Sequence, residues 1–239
     1  MTLNGKTALV TGGSRGIGAA IVRRLARDGA RVVFGYRAAK DEADALVREV
    51  PGTTAIRADL ADPAALNDLF AGVADGLDIL VNNAAVNPLT PLAEITGADF
   101  DRAMAINARF PLLAMARAAS VLRDGGRIIN VSTLNTVVPA PRLALYIGSK
   151  AALEGYTAVA ARELGPRGIT VNAVSPGATE TAMLRASNPP EALEQTAAFT
   201  ALGRLGRPED IADVVAFLAG PDSGWITGQN IRATGGMIV

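Results

Sequence analysis

Short β-rich runs and helical patterns alternate along this chain, and the first run, TALV at 7–10, opens directly onto the glycine-rich turn TGGSRGIG, Thr11 to Gly18. A strand, a crossover helix and a second strand pair in parallel, so the alternation predicts a parallel sheet wrapped by helices. We read strands at 7–10, 31–35, 54–58, 78–82, 127–132, 169–174 and 229–233. Seven such strands with helices on both faces make a doubly wound α/β fold, a single domain over residues 1–239.

The helices carry their own signals. Ile17, Ile21 and Leu25 recur at helical spacing after the glycine turn, and Gly29 ends the pattern. Asp62 before Pro63 sets an N-cap acid ahead of a proline at the first helical position. Residues 97–122 read as one long alanine-rich helix, and Pro208 with Glu209 and Asp210 opens another over 208–219. Residues 183–200 interrupt the alternation and carry Pro189-Pro190. They form either a surface excursion or a lid at the carboxyl end of the sixth strand.

Composition narrows the chemistry. The chain has no cysteine and no histidine, which removes disulfides, thiolates and the usual general base and metal ligand. No metal site is expected. Basic and acidic residues balance at 23 each, so no excess charge gathers a nucleic acid. No apolar run approaches the roughly 18 residues a bilayer span needs. The start MTLNGKTALVTGG runs into a strand without a signal core. A cytoplasmic protein with a small-molecule partner is expected.

The glycine turn lies between a strand and a helix, where backbone N–H groups bind anions. Gly12, Gly16 and Gly18 let the chain turn tightly and approach a pyrophosphate. The spacing differs from G-x-G-x-x-G, and no lysine follows Gly18 as a P-loop requires. Position in a Rossmann-type βαβ frame makes dinucleotide binding the expectation. An NAD-selective site usually ends its second strand with an acid. Here Tyr36 stands at that place, Arg37 follows, and Arg15 lies in the glycine loop. Unless both arginines are solvated surface groups, they suit a 2′-phosphate, and the cofactor expected is NADP(H).

Tyr146 and Lys150 are four residues apart, so a helix places them on one face. A nearby ammonium favours the phenolate, and lowering a phenol by ~2–3 pKa units requires ~3–4 kcal/mol. Two hydroxyls, Ser132 and Thr133, precede this pair on a strand. Successive strand side chains point to opposite faces, so only one of them reaches a given carbonyl.

With these motifs the chain resembles the single-domain branch of the short-chain dehydrogenase/reductase family, and most of all the bacterial 3-oxoacyl-[acyl-carrier-protein] reductases. The likeness rests on TGGSRGIG, ADL at 58–60, NNAA at 82–85, Asn107 in MAINARF, Tyr146, Lys150, SPGATET at 175–181 and GRLGRPEDIADVVAFLAG at 203–220. The resemblance implies that Tyr146 donates a proton to a carbonyl oxygen, that Lys150 lowers its pKa and holds the nicotinamide ribose, and that Asn107 holds a relay water. It implies cofactor contacts from Gly12, Ser14, Arg15, Gly16, Ile17 and Gly18, from Tyr36, Arg37, Asp59 and Leu60, from Asn83, Ala84 and Ala85, and from Pro176, Gly177, Thr179 and Thr181.

Relatives place a serine thirteen residues before the tyrosine. That count lands on Thr133, while a one-residue shift in register makes Ser132 the partner. Substrate contacts are expected from Val86, Asn87, Leu134, Asn135, Val138, Met183 and Phe199. Family members that take an acidic carrier protein use two basic residues. Arg167 matches one, but Asp124 occupies the other place beside Arg123. The alanine-rich helices around 97–122 and 146–164 offer close-packing faces, which relatives pair into dimers and tetramers, so the resemblance implies a homotetramer. The reading is an NADP(H)-dependent oxidoreductase that reduces a ketone or 3-oxoacyl carbonyl. The alternatives are an alcohol, sugar or steroid dehydrogenase of the same fold, and a catalytically silent nucleotide-binding scaffold.

Overall fold

A computed structural model of the chain describes residues 2–237. Its seven strands form one parallel sheet: β1 (Thr7–Val10), β2 (Arg31–Tyr36), β3 (Thr53–Arg57), β4 (Leu77–Asn82), β5 (Leu122–Val131), β6 (Thr170–Pro176) and β7 (Asn230–Ala233). The order across the sheet is β3-β2-β1-β4-β5-β6-β7. Every residue of β1, β4 and β6 is buried, because helices cover both faces and a parallel strand must be apolar nearly throughout. The order reverses between β1 and β4, and such a switch leaves a crevice outside the strand ends.

Helices α1 (Gly16–Arg27), α2 (Lys40–Glu49) and α9 (Pro208–Ala219) pack on one face, where Ile21, Leu25, Val32, Phe34, Val81 and Val215 share a core. On the other face, α3 (Ala64–Ala71), α5 (Phe110–Val121) and α6 (Ala144–Leu164) close over Leu9, Leu69, Leu80, Phe110, Ile128 and Leu153. Helix α4 (Gly97–Met104) opens on a reciprocal cap between Thr96 and Asp99. Leu112, Leu113 and Val159 leave part of α5 and α6 exposed and apolar.

The sequence reading differs from the structure at β5, which begins at Leu122 rather than at 127, and at the helix before it. The expected continuous helix over 97–122 is α4, a π turn at Ala105–Arg109 and then α5, with Leu122 already in β5. Pro111 has no N–H to give the carbonyl of Asn107 four residues back, so the α-helical ladder cannot run through this point. The residues at 183–200 contain two short helices, α7 (Ala182–Ser187) and α8 (Pro190–Ala198), neither with a buried residue.

Candidate active site

The glycine turn is drawn onto the end of β4. Thr11 Oγ1 accepts hydrogen bonds from the backbone N–H groups of Asn83 at 3.0 Å and Ala84 at 3.1 Å. Asn83 Nδ2 donates to the carbonyls of Thr11 and Gly12 at 3.0 and 3.1 Å. A Cβ on Gly12, whose φ is +67°, would lie 2.9 Å from Ala84 Cα, and one on Gly18 would lie 2.0 Å from the Gly12 carbonyl oxygen. Only glycine permits this cradle. Asn83 therefore braces the loop with its side chain, a role its motif does not reveal. Ser14 is buried, and Ile17 packs against the core beneath α1. Helix α1 starts with no side-chain cap and no acid in its first turn, which leaves its N–H groups open to an anion.

Arg37, Arg57, Ala58, Asp59, Asp62 and Asp68 line an open cleft beyond β2. Tyr36 ends that strand with Arg57 beside it in register on β3, and Arg57 Nε donates to the Arg37 carbonyl at 3.3 Å. Arg15 and Arg37 are exposed. Asp59 Oδ1 accepts from the N–H of Ala61 at 3.1 Å, so this acid caps a turn, and Leu60 is buried. Sequence reading did not single out Arg57, which gains these neighbours only through the pairing of β2 with β3.

Beyond β5, strand alternation separates the two hydroxyls. Ser132 Oγ donates to Glu154 Oε1 at 2.5 Å. Thr133 turns the other way: its Oγ1 donates to Asn135 Oδ1 and accepts from the Asn135 N–H, both at 3.2 Å, and it is the hydroxyl that pulls on the Tyr146 phenol. Lys150 is 1% exposed; its Nζ donates to the Val131 carbonyl at 2.6 Å and lies 6.0 Å from the Tyr146 ring centroid. Burial pushes the Lys150 ammonium down to about 8 against the upward pull of Glu154. Burial also pushes the Tyr146 phenol above its ordinary value, with the Thr133 hydrogen bond opposing. The lowered phenol expected from sequence is therefore not what this environment gives: loss of solvent outweighs the hydrogen bond.

Asn107 lies in the π turn and is fully buried. Its side chain is held on three sides: Nδ2 donates to the Val86 carbonyl at 2.8 Å and to Ser149 Oγ at 3.0 Å, while Oδ1 accepts from the Val86 N–H at 2.9 Å. Ser149 Oγ in turn donates to the Tyr146 carbonyl at 2.8 Å. The amide is thus fully engaged within the chain, and Pro111 has no N–H to offer the Asn107 carbonyl.

The loop after β6 closes the crevice. Gly177 N donates to the Ala233 carbonyl at 2.9 Å, and a Cβ on Gly177 would meet Thr234 Cα at 3.0 Å. Thr179 Oγ1 donates to the Gly177 carbonyl at 3.0 Å. Thr181 caps α7 and lies over Gly16, where an added Cβ would come 3.3 Å from Thr181 Cγ2. Pro176 ends β6. Among the pocket candidates, Val138 is 38%, Met183 44% and Phe199 77% exposed. Leu134 is buried, Val86 packs against the core, Asn135 Nδ2 donates to the Val138 carbonyl at 3.1 Å, and the buried Asn87 Oδ1 has no hydrogen-bond partner in the chain. Among the described residues no cluster of acids could hold a metal, and no helix is long and apolar enough to cross a membrane.

Known proteins match nearly the whole chain. A family model described as Enoyl-(Acyl carrier protein) reductase matches residues 12–238. An uncharacterized oxidoreductase of Methylorubrum extorquens is 42% identical, with 98% of each chain covered. The cyclic-di-GMP-binding biofilm dispersal mediator protein of Escherichia coli is also 42% identical, over 94% of this chain and 93% of its own. Among solved structures, a short-chain dehydrogenase/reductase from Serratia marcescens is 45% identical with a TM-score of 0.93, covering 99% of both chains. A blue fluorescent protein from a metagenomic library, in complex with NADPH, is 43% identical with a TM-score of 0.94 and full coverage of both. The angucycline C-6 ketoreductase LanV, with bound NADP, is 42% identical with a TM-score of 0.91 over 99% of this chain and 96% of its own.

Proposed function

The chain belongs to the short-chain dehydrogenase/reductase family, and from that premise we propose that it is an NADPH-dependent ketoreductase, which reduces a small ketone to a secondary alcohol. The observation that carries this is the set of three side chains beside the β5 exit: Tyr146 with its phenol kept protonated, Thr133 as the hydroxyl acting on it, and Lys150 buried one helical turn away. The cradle fits the cofactor, since added side chains at Gly12 or Gly18 would fill the space a pyrophosphate needs, and two solved relatives carry NADPH or NADP. The α1 N-terminus would hold the pyrophosphate, and Arg15 and Arg37 the 2′-phosphate. When bound, NADPH supplies the hydride.

The chain's own residues supply orientation and the proton. Thr133 donates a hydrogen bond to the substrate oxygen as negative charge grows there. Tyr146 transfers its phenolic proton to that oxygen, so the alkoxide leaves as an alcohol and a phenolate remains. The Lys150 ammonium stabilises the phenolate, and Asn107, in the π turn beside α6, would support the relay through which the proton is replaced. A phenol with a raised pKa stays protonated at neutral pH, the form reduction starts from, but it is also the weaker acid, so the phenolate it leaves needs the Lys150 charge. An assembled acid and ammonium favour catalysis over a silent nucleotide-binding protein.

The substrate comes free rather than on an acidic carrier. Arg167 Nε is held by Asp124 at 2.7 Å, and its other nitrogens donate to the carbonyls of Ala119 and Leu122. Arg123 donates to the buried carboxylate of Asp78 at 2.7 Å. Both basic candidates are thus engaged within the chain.

The pH profile tests the reading. Below about 8 Lys150 is an ammonium, and above it the charge is lost. The kcat/KM for reduction therefore falls as pH rises through about 8. Stability moves the other way: unfolded lysine keeps its proton to 10.5, folded Lys150 only to about 8. The unfolded state binds more protons across that window, so this group's contribution to stability rises with pH. Activity that climbs through the same window contradicts the assignment.

Cofactor choice is a separate test. Arg37→Asp replaces a phosphate-binding cation with the acid that suits a free ribose hydroxyl. The ratio of kcat/KM for NADPH to that for NADH is expected to fall at least tenfold, about 1.4 kcal/mol. An unchanged ratio returns Arg37 to the solvated surface.

A further inference from the structure

Glu154 has no part in the mechanism above, yet it lies at its centre. Tyr146, Lys150 and Glu154 follow one another at four-residue intervals on α6, so they share a face of that helix. A single oxygen, Oε1, has two hydroxyls converging on it from outside the helix, Ser132 Oγ at 2.5 Å and Thr136 Oγ1 at 2.9 Å, the latter also 3.0 Å from the Thr133 carbonyl. Those two residues flank Thr133, one before it on the strand exit and the other three after it in the short turn Leu134–Thr136. The Lys150 bond to the Val131 carbonyl adds a third tie between the same helix face and the same strand exit.

We propose that Glu154 is a positioning residue for catalysis: its carboxylate clamps the segment that carries Thr133 onto the helix that carries Tyr146 and Lys150. An acceptor-only group suits a place where two hydroxyls converge, and a charged acceptor holds them more strongly than a neutral one. The clamp also gives both hydroxyls of the 132–133 pair a task. Thr133 faces the phenol, and Ser132 fastens the segment from behind. The titratable groups beside Glu154 on its own face are Lys150 and, a further turn away, Tyr146; the strand exit and turn present only the hydroxyls of Ser132, Thr133 and Thr136. The carboxylate therefore has a second effect, holding the proton on Lys150.

The catalytic consequence rests on the ketoreductase reading, while the clamp itself is measurable without turnover. Glu154→Ala, Glu154→Gln and Ser132→Ala separate the contributions. In Glu154→Ala, amide hydrogen exchange over 132–137 accelerates, and kcat falls about tenfold with the KM for NADPH unchanged, as expected when reacting groups lose alignment. Glu154→Gln keeps an acceptor and loses the charge. It restores most of the exchange protection and of kcat, but the Lys150 titration, followed by NMR of the lysine ε-carbons, moves to lower pH. With three lysines in the chain, Lys6, Lys40 and Lys150, that signal is assignable by substitution. Ser132→Ala loosens the same segment and leaves the Lys150 midpoint in place.

Wild-type exchange over 132–137 in Glu154→Ala, or equal loss of protection in the Gln and Ala variants, overturns the clamp. If Glu154→Ala does not fold, exchange in Ser132→Ala and the Lys150 midpoint in Glu154→Gln decide it. If wild type reduces no ketone, the ketoreductase reading fails, and exchange with the lysine titration still settles whether Glu154 holds the segment.

Discussion

Tyr146→Phe is expected to reduce kcat by about 10²- to 10⁴-fold, the range a positioned general acid contributes, while NADPH still binds. The substitution removes one oxygen and keeps the ring, so the packing on α6 and the Lys150 contact with the Val131 carbonyl stay in place. The hydride can then still be delivered, but the growing alkoxide has no proton donor. Loss of the acid also removes the group whose phenolate Lys150 stabilises, so the alkaline fall in the residual activity should flatten. Turnover within tenfold of wild type would mean that the proton comes from elsewhere and that the assignment of Tyr146 is wrong.

The second large effect separates the two neighbouring hydroxyls. Thr133→Ala removes a hydrogen-bond donor from the substrate oxygen, and loss of one such donor typically costs about 10²- to 10³-fold in kcat. Thr133→Ser keeps the hydroxyl and should recover most of it. Ser132→Ala acts only through the strand exit, because Ser132 Oγ is bonded to Glu154. Its loss should be far smaller. If Ser132→Ala is the crippled variant and Thr133→Ala is mild, the register that counts thirteen residues back from Tyr146 is one residue off.

Particular residues explain how much of this could be read in advance. The strands were legible because burial on both faces demands continuous apolar runs, and β1 and the helix at 208–219 have the limits read from sequence. The glycine turn was legible because three positions in it exclude a side chain for local reasons. The π turn was not read from the alanine-rich run at 97–122, although Pro111 carried the signal: a proline inside a helical pattern marks the carbonyl four residues back as unpaired. Pro190 likewise marked the start of α8.

What stayed hidden depended on long-range neighbours. Spacing alone sets Tyr146 and Lys150 on one face, but the direction of the phenol shift depends on how much solvent the folded chain removes. Arg57 and Glu154 needed the pairing of β2 with β3 and of the β5 exit with α6 before either had a partner. That Arg167 bonds to Asp124 and to the carbonyls of Ala119 and Leu122 likewise emerged only in the fold.

The most direct test of NADPH-dependent carbonyl reduction is the oxidation of NADPH and of NADH by the wild-type protein, followed by nicotinamide absorbance, against free ketones, ring ketones and acetoacetyl-coenzyme A. NADPH consumed mole for mole with a secondary alcohol, at a higher kcat/KM than NADH, is the predicted result. No ketone-dependent oxidation, or a preference for NADH, contradicts it.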